Sequence, residues 1–345
     1  MADFSCIDKN FKIDTKINKN DIKFYDIKNA PFSIHGVFYE NGKFRRIPES
    51  IAKKVSSGVC VLHTNTAGGR VRFKTDSSYV AIHTKMSSVG KMPHFALTGS
   101  AGFDLYVDNN YIKTFVPPFD IVDGYESLIE LGTNELKEIT INFPLYSSVD
   151  ELYIGISDSS ALCEAAPYKH QKPMVYYGSS ITQGGCASRP GNSYESIISR
   201  RFNADYINLG FSGNAKAEEE IAKHISGMDM SVFVYDYDHN APTNEHLQLT
   251  HERMYKTVRA ANPDLPVIIM SRPKPYLNDT EKHRLEIIRA TYESAKQNGE
   301  KVYLLDGPTL MKAAGNDGTV DGCHPNDLGF ASMAKAVGDV LETIL

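Results

Sequence analysis

The sequence has no run of apolar residues approaching the about eighteen that a membrane span needs. It has no block of lysine or arginine, and its formal net charge is −5. Nucleic acid and membranes are therefore not expected as partners. The N-terminal stretch MADFSCIDKNFKIDTKINKN is charged from its third residue and has no apolar signal-peptide core. Cysteine is sparse: five residues, at positions 6, 60, 163, 186 and 323, scattered and odd in number. That pattern excludes the disulfide framework of a small secreted domain. The expectation is a cytoplasmic protein with mostly reduced thiols, unless a leader has been trimmed away. There is no solenoid-type repeat, no low-complexity tract and no Gly-x-Ser-x-Gly elbow.

What is present divides in two. A chain of 345 residues has room for about two domains of roughly 150 residues each. With 41% hydrophobic and 23% charged residues, its composition is that of a soluble globular protein. The first half alternates apolar and polar residues in short runs: VCVLHT (59–64), RVRFKT (70–75), YVAIHTKM (79–86), FDLYVD (103–108), EITINF (138–143) and ELYIGI (151–156). Turn formers separate them at Asn41-Gly42, Gly68-Gly69 and Asp108-Asn109. An all-β sandwich or jelly roll over residues 1–168 is expected, with at most one short helix near Glu49–Lys54.

From residue 169 the period changes. Near-continuous apolar runs, MVYYG (174–178), YINLG (206–210), SVFVYD (231–236), VIIMS (267–271) and VYLLD (302–306), alternate with amphipathic segments. Runs of this kind suit a parallel sheet covered on both faces. Asn192 and Glu195 have capping-box spacing ahead of a first helix. Leu285, Ile288, Tyr292 and Ala295 share a face of a later helix that Gly299 is placed to end. Residues 169–345 therefore read as a doubly wound α/β domain.

In such a sheet, ligands bind at the carboxyl ends of the strands. After the first run comes Gly178-Ser179-Ser180-Ile181-Thr182, where Ser180 is either an exposed nucleophile or part of a polar turn. After the second comes Gly210-Phe211-Ser212-Gly213, where Gly213 offers a backbone N–H to an oxyanion or only makes a turn. Ser212 is a competing nucleophile. After the third comes Asp238-His239-Asn240-Ala241, where Asn240 is a second oxyanion donor or a helix cap. After the fifth comes Asp321-Gly322-Cys323-His324-Pro325. A histidine base needs a carboxylate at its other ring nitrogen, and an Asp three residues earlier can supply it. A helix cap, or a metal site from Asp321, Cys323, His324 and Asp327, are the alternatives there. No second ligand cluster supports the metal reading.

Together these blocks resemble the SGNH hydrolases, also called GDSL-type esterases, over about Met174–Leu345. The resemblance implies a flavodoxin-like three-layer α/β/α domain with a five-stranded parallel sheet. It implies Ser180 as nucleophile with His324 and Asp321, and an oxyanion hole from Ser180, Gly213 and Asn240. No cofactor and no metal are implied. Two positions depart from the family pattern: Ser179 stands in place of an aspartate, and the third block has Asp238 and Ala241 in place of Gly and Asp. The first half is similar to the β-sandwich that precedes this domain in some carbohydrate esterases. The implied function is hydrolysis of short-chain, acetyl-type esters on a small molecule or oligosaccharide. The alternatives are acyl transfer by the same serine, or a non-catalytic carbohydrate-binding protein. His94, Met92, His239, Tyr237 and Arg272 are candidates for substrate contact, and Cys186 and Cys323 for positions beside the site. Nothing in the sequence sets an oligomeric state.

Overall fold

The computed structural model describes residues 17–345, so Cys6 and most of the charged N-terminal stretch lie outside it. Strands that alternate apolar and polar residues must hide one face each, and two facing antiparallel sheets do this in the first half. One sheet runs in the order Ile22–Asp26, Glu151–Ser157, Tyr79–Lys85, Gly124–Glu130. The other runs Leu162–Cys163, Arg70–Thr75, Lys137–Asn142, Phe103–Val107, Asn110–Phe115, with Ser33–His35 also paired to Arg70–Thr75. Val80, Ile82, Ile154 and Ile156 from the first sheet share one core with Phe73, Leu105, Ile139 and Ile141 from the second. The Asn41-Gly42 and Asp108-Asn109 turns have positive φ at both residues, as tight hairpins of this hand require.

One segment differs from its sequence pattern. VCVLHT, which alternates like a strand, lies largely in the helix Ser57–Leu62, directly after the helix Glu49–Val55. Ser56 caps it, its side chain accepting the Val59 N–H at 3.1 Å. Ile47, Ala52 and Val59 pack with Ile221, Ala222 and Ile225 of the second half. The period-2 reading fails because these residues bury against a distant element and not within a sheet.

In the second half the parallel strands are β1 (His170–Gly178), β2 (Ala204–Gly210), β3 (Val232–Asp236), β4 (Val267–Met270) and β5 (Val302–Leu305). Their order is β2-β1-β3-β4-β5. The longer helices are α1 (Tyr194–Phe202), α2 (Glu219–Ser226), α3 (Asn244–Ala261), α4 (Asp279–Gln297) and α5 (Asp327–Leu341). Alternate β1 residues face opposite layers. Val175 and Tyr177 join the core with α2, α3 and α4, whereas Met174 and Tyr176 join the core with α1 and α5. The result is a three-layer flavodoxin-like α/β/α domain. The strand order reverses direction across β1, which makes its carboxyl end the crevice for a ligand.

Helix ends follow local chemistry. Gly299, with φ +74°, closes α4: its N–H donates to Lys296 O, and the Glu300 N–H donates to Ala295 O. The cap of α1 is Ser193 and not Asn192. Asn192 instead donates from Nδ2 to Asp327 at 2.8 Å, and Glu195 is fully buried. Paired charges join the two halves. Arg70 bonds Asp205 and lies 4.0 Å over the Tyr206 ring, and Arg189 donates to the fully buried Asp104 at 2.9 Å. Among the described residues, no helix is long and apolar enough to cross a membrane.

Candidate active site

Four loops at the carboxyl edge of the sheet build the site. The first leaves β1 through Gly178, where a Cβ would stand 1.9 Å from Asp236 O. Only glycine lets β1 and β3 approach that closely before the chain turns. The turn is then pinned: the Ser179 N–H donates to Asp236 O, and the Gln183 N–H donates to Ser179 O, both at 3.0 Å. Ser180 is left half-exposed at the edge.

Its Oγ lies 3.0 Å from His324 Nε2. Nδ1 of the same ring lies 2.8 Å from Asp321 Oδ2. Spacing explains how a carboxylate three residues away reaches the ring. Asp321 Oδ1 accepts the backbone N–H groups of Cys323 (2.9 Å) and His324 (2.7 Å), which folds the chain back on itself. Gly322, at φ +81°, makes the turn possible, and a bridge between Thr319 and Pro325 closes its base. Burial pushes the Asp321 carboxyl up, but its bonds to the His324 ring and the two N–H groups prevail and hold it down to about 2. Asp321 is therefore an anion at neutral pH and fixes the proton of His324 on Nδ1. Nε2 then presents its lone pair to Ser180.

Gly213 has φ +67° and open space where a Cβ would be. Among the described residues, neither its N–H nor that of Ser180 donates to a protein acceptor. Asn240 donates one amide hydrogen to Phe211 O at 2.9 Å, in the Gly213 loop, and keeps the other. Two free N–H groups and an anchored amide therefore lie in the loops around the Ser180 hydroxyl. Such donors can hold an oxygen that becomes negative. Ser212, the competing serine, has its N–H taken by Gln183 Oε1 at 3.0 Å, and the imidazole lies at Ser180.

Asp238 has a role that its family position does not suggest. It is buried and accepts from Arg272 N (3.1 Å), Arg272 Nε (3.0 Å), Arg272 Nη2 (3.0 Å) and Arg284 Nε (2.6 Å). These two guanidiniums overcome the effect of burial and hold its carboxyl well below the usual carboxylate range. The pair of arginines thus anchors the turn that carries His239 and Asn240.

The candidate substrate contacts separate. Tyr237 is in the core, its hydroxyl 2.6 Å from Thr250 Oγ1, so the expectation that it contacts substrate is corrected. Arg272 is likewise committed to Asp238 and Glu281 and is not free for a ligand. His239 sits with Nδ1 3.8 Å from Cys323 Sγ, and burial and the nearby Arg272 push its pKa down to about 4, so it is neutral. His94 is exposed, with its ring 5.8 Å from that of His324. Met92 is half-buried on the same loop. Cys186 and Cys323 are both free thiols. The alternative metal set is dispersed, because Asp327 bonds Ser188 and Asn192.

Sequence reasoning missed three supports. Gln183 links Ser212 N–H to Leu145 O, tying the serine loop to both the Gly213 loop and the first half. Tyr146 donates to Ser180 O at 3.2 Å, and Arg46 reaches Gly210 O from the first half. Their partners lie 29 to 164 residues away, so no local spacing could reveal them.

Residues 171–342 match the GDSL-like lipase/acylhydrolase family, and residues 22–162 match the N-terminus of SGNH hydrolase-type esterases. The chain belongs to the SGNH hydrolases. Among solved structures, this SGNH chain is similar to a GDSL-like lipase from Bacteroides ovatus ATCC 8483. That pair shares 28% identity and a TM-score of 0.83, with 94% of this chain and 98% of that one covered. A salicylyl-acyltransferase from a tetracycline biosynthetic pathway aligns at 17% identity and TM-score 0.78, over 95% and 99% of the two chains. An acetyl xylan esterase from the rumen bacterium Butyrivibrio proteoclasticus aligns at 12% identity and TM-score 0.61, over 93% and 98%. These last two share the fold. No curated protein matches the sequence. The SGNH family is one of esterases and acylhydrolases, and both halves of this chain fall within its pattern.

Proposed function

We propose that this SGNH hydrolase cleaves short-chain esters, acetyl groups on carbohydrate foremost, through an acyl-enzyme on Ser180. The observation that carries the reading is the unbroken chain Ser180 Oγ, His324 Nε2, His324 Nδ1, Asp321 Oδ2, with links of 3.0 and 2.8 Å. His324 takes the Ser180 proton as the oxygen attacks the ester carbonyl. The N–H groups of Ser180 and Gly213 and the Asn240 amide receive the developing oxyanion. One such donor is worth about 3 kcal/mol of barrier. His324 then protonates the leaving alcohol, and water, activated by the same imidazole, releases the acid. The likeness to an acetyl xylan esterase supports an acetylated sugar as substrate. The polar, exposed setting of His94 beside His324 suits such a ligand.

A second reading is transfer of the acyl group to an alcohol. It is favoured by the similarity to an acyltransferase along nearly the whole chain. Both readings are tested together. Ser180→Ala should abolish turnover of p-nitrophenyl acetate and of acetylated xylan, and Ser212→Ala should not. Added alcohols or sugars should leave the product as free acetate if water is the acceptor, and should divert it into a new ester if it is not.

A further inference from the structure

We propose that His94, Cys186 and His324 form a binding site for a borderline transition-metal ion such as Zn2+, and that its occupation switches the enzyme off. The inhibitory half rests on His324 being the general base; the binding half does not. Two imidazoles and a thiol from three separate loops converge here, and their ligand atoms all lie within 4.8 Å of one another. Zinc bonds of about 2.0–2.1 Å to nitrogen and about 2.3 Å to sulfur need ligand atoms somewhat closer than this. His94 can supply the movement: it is exposed, and its ring makes no hydrogen bond among the described residues.

Each ligand is prepared in its own way. Cys186 is buried, unpaired and held at φ +75°, a left-handed conformation that disfavours non-glycine residues. The turn Gly184-Gly185 imposes it, with Gly185 N–H on Ser180 O and Ala187 N–H on Gly184 O. The strained backbone holds the thiol near the imidazoles. His324 already carries the outer partner that metal-bound histidines have: its Nδ1–H is on the Asp321 carboxylate, which leaves Nε2 free to ligate. The fourth tetrahedral position falls to water or to Ser180 Oγ, 3.0 Å from Nε2. A set of one thiolate and two imidazoles selects zinc, cobalt, cadmium or copper over magnesium and calcium. The thiol gives up its proton to solvent on binding. The same Nε2 lone pair cannot hold a metal and accept the Ser180 proton, so binding and catalysis exclude each other.

The test uses Co2+ and Zn2+ on the full chain. Co2+ should give the near-ultraviolet thiolate charge-transfer band and the visible bands of a tetrahedral site, and Zn2+ should bleach both. Ser180→Ala and Cys323→Ser should keep the spectrum, and Cys186→Ser and His94→Ala should lose it. Even an outer partner of a metal ligand is worth about 10–100-fold in affinity. Zn2+ should therefore inhibit ester hydrolysis by the wild type, reversibly with EDTA, and Cys186→Ser should need at least about tenfold more zinc while keeping its basal rate. Cys186→Gly, which suits the left-handed backbone, gives the same reading should the serine variant fold poorly. Absence of the thiolate band, or equal zinc sensitivity in the wild type and Cys186→Ser, overturns the site. A normal cobalt spectrum with no ester turnover would instead strike at the esterase reading alone.

Discussion

Replacing Asp238 by asparagine should cost both stability and rate, for one structural reason. The carboxylate is 1% exposed and is the shared counter-ion of Arg272 and Arg284, whose side chains are 15% and 6% exposed. Asparagine keeps the shape, removes the charge and turns an amide N–H toward guanidinium donors. Breaking a buried pair by removing one partner costs about 3–5 kcal/mol. Arg272 retains Glu281 at 3.4 Å, and Arg284 retains the carbonyl of Ala241 at 3.0 Å, so the lower end, about 3 kcal/mol, is expected. The same turn carries Asn240, two residues on. If its amide leaves the oxyanion position, kcat should fall about 10²–10³-fold with a smaller change in KM. Urea unfolding at pH 7 reads the first effect, and steady-state hydrolysis of an aryl acetate reads the second. A double variant Asp238→Asn, Asn240→Ala should be no slower than Asn240→Ala alone, because both act through one donor. An Asp238→Asn protein with wild-type kcat, or a double variant slower by the product of both effects, refutes this account.

Three further outcomes follow from other parts of the site. Asp321→Asn should lower kcat about 10³–10⁴-fold with the fold intact, since the amide no longer fixes the imidazole proton; a loss under tenfold in steady-state kinetics would remove Asp321 from the mechanism. Burial, with the charge of Asp238 nearby, raises the Asp236 carboxyl from 3.8 to about 7. Between those values the folded protein keeps a proton that the unfolded chain has released, so stability falls as pH rises through that window, by a few kcal/mol at about 1.4 kcal/mol per unit. Asp236→Asn should therefore gain stability relative to the wild type between pH 5 and pH 8 in urea titrations; a constant difference would contradict this. Gly178→Ala places a methyl 1.9 Å from Asp236 O and should push β1 from β3, with lost activity and lowered Tm; an unaltered melting curve would show that the turn has slack.

Much of the site was legible because it is local. Each candidate loop follows a strand that its own apolar run announces, and Asp321 and His324 are three residues apart. Topology then brings the ends of β1, β2 and β3 to one edge. The features that escaped are long-range. Tyr237 looked like a site aromatic because it follows β3, but its ring turns into the core beside the stacked rings of Tyr235 and His251. Arg272 looked free because its counter-ion Asp238 lies 34 residues earlier. The helix Ser57–Leu62 shows strand-like alternation, and only the burial of Val59 in the core of the second half decides otherwise. Asn192 resembled a cap, yet Ser193, one residue on, has the extended backbone and the hydroxyl that meets Ser196 N–H.

If Ser180 is the nucleophile, its hydroxyl becomes acylated during turnover. Rapid quenching with p-nitrophenyl acetate, digestion and peptide mass spectrometry would locate the acyl group. One acetyl is expected on the peptide containing Ser180, accumulating in Asp321→Asn and absent in Ser180→Ala. An acetyl on Ser212 or Cys186, or turnover that persists in Ser180→Ala, would contradict it.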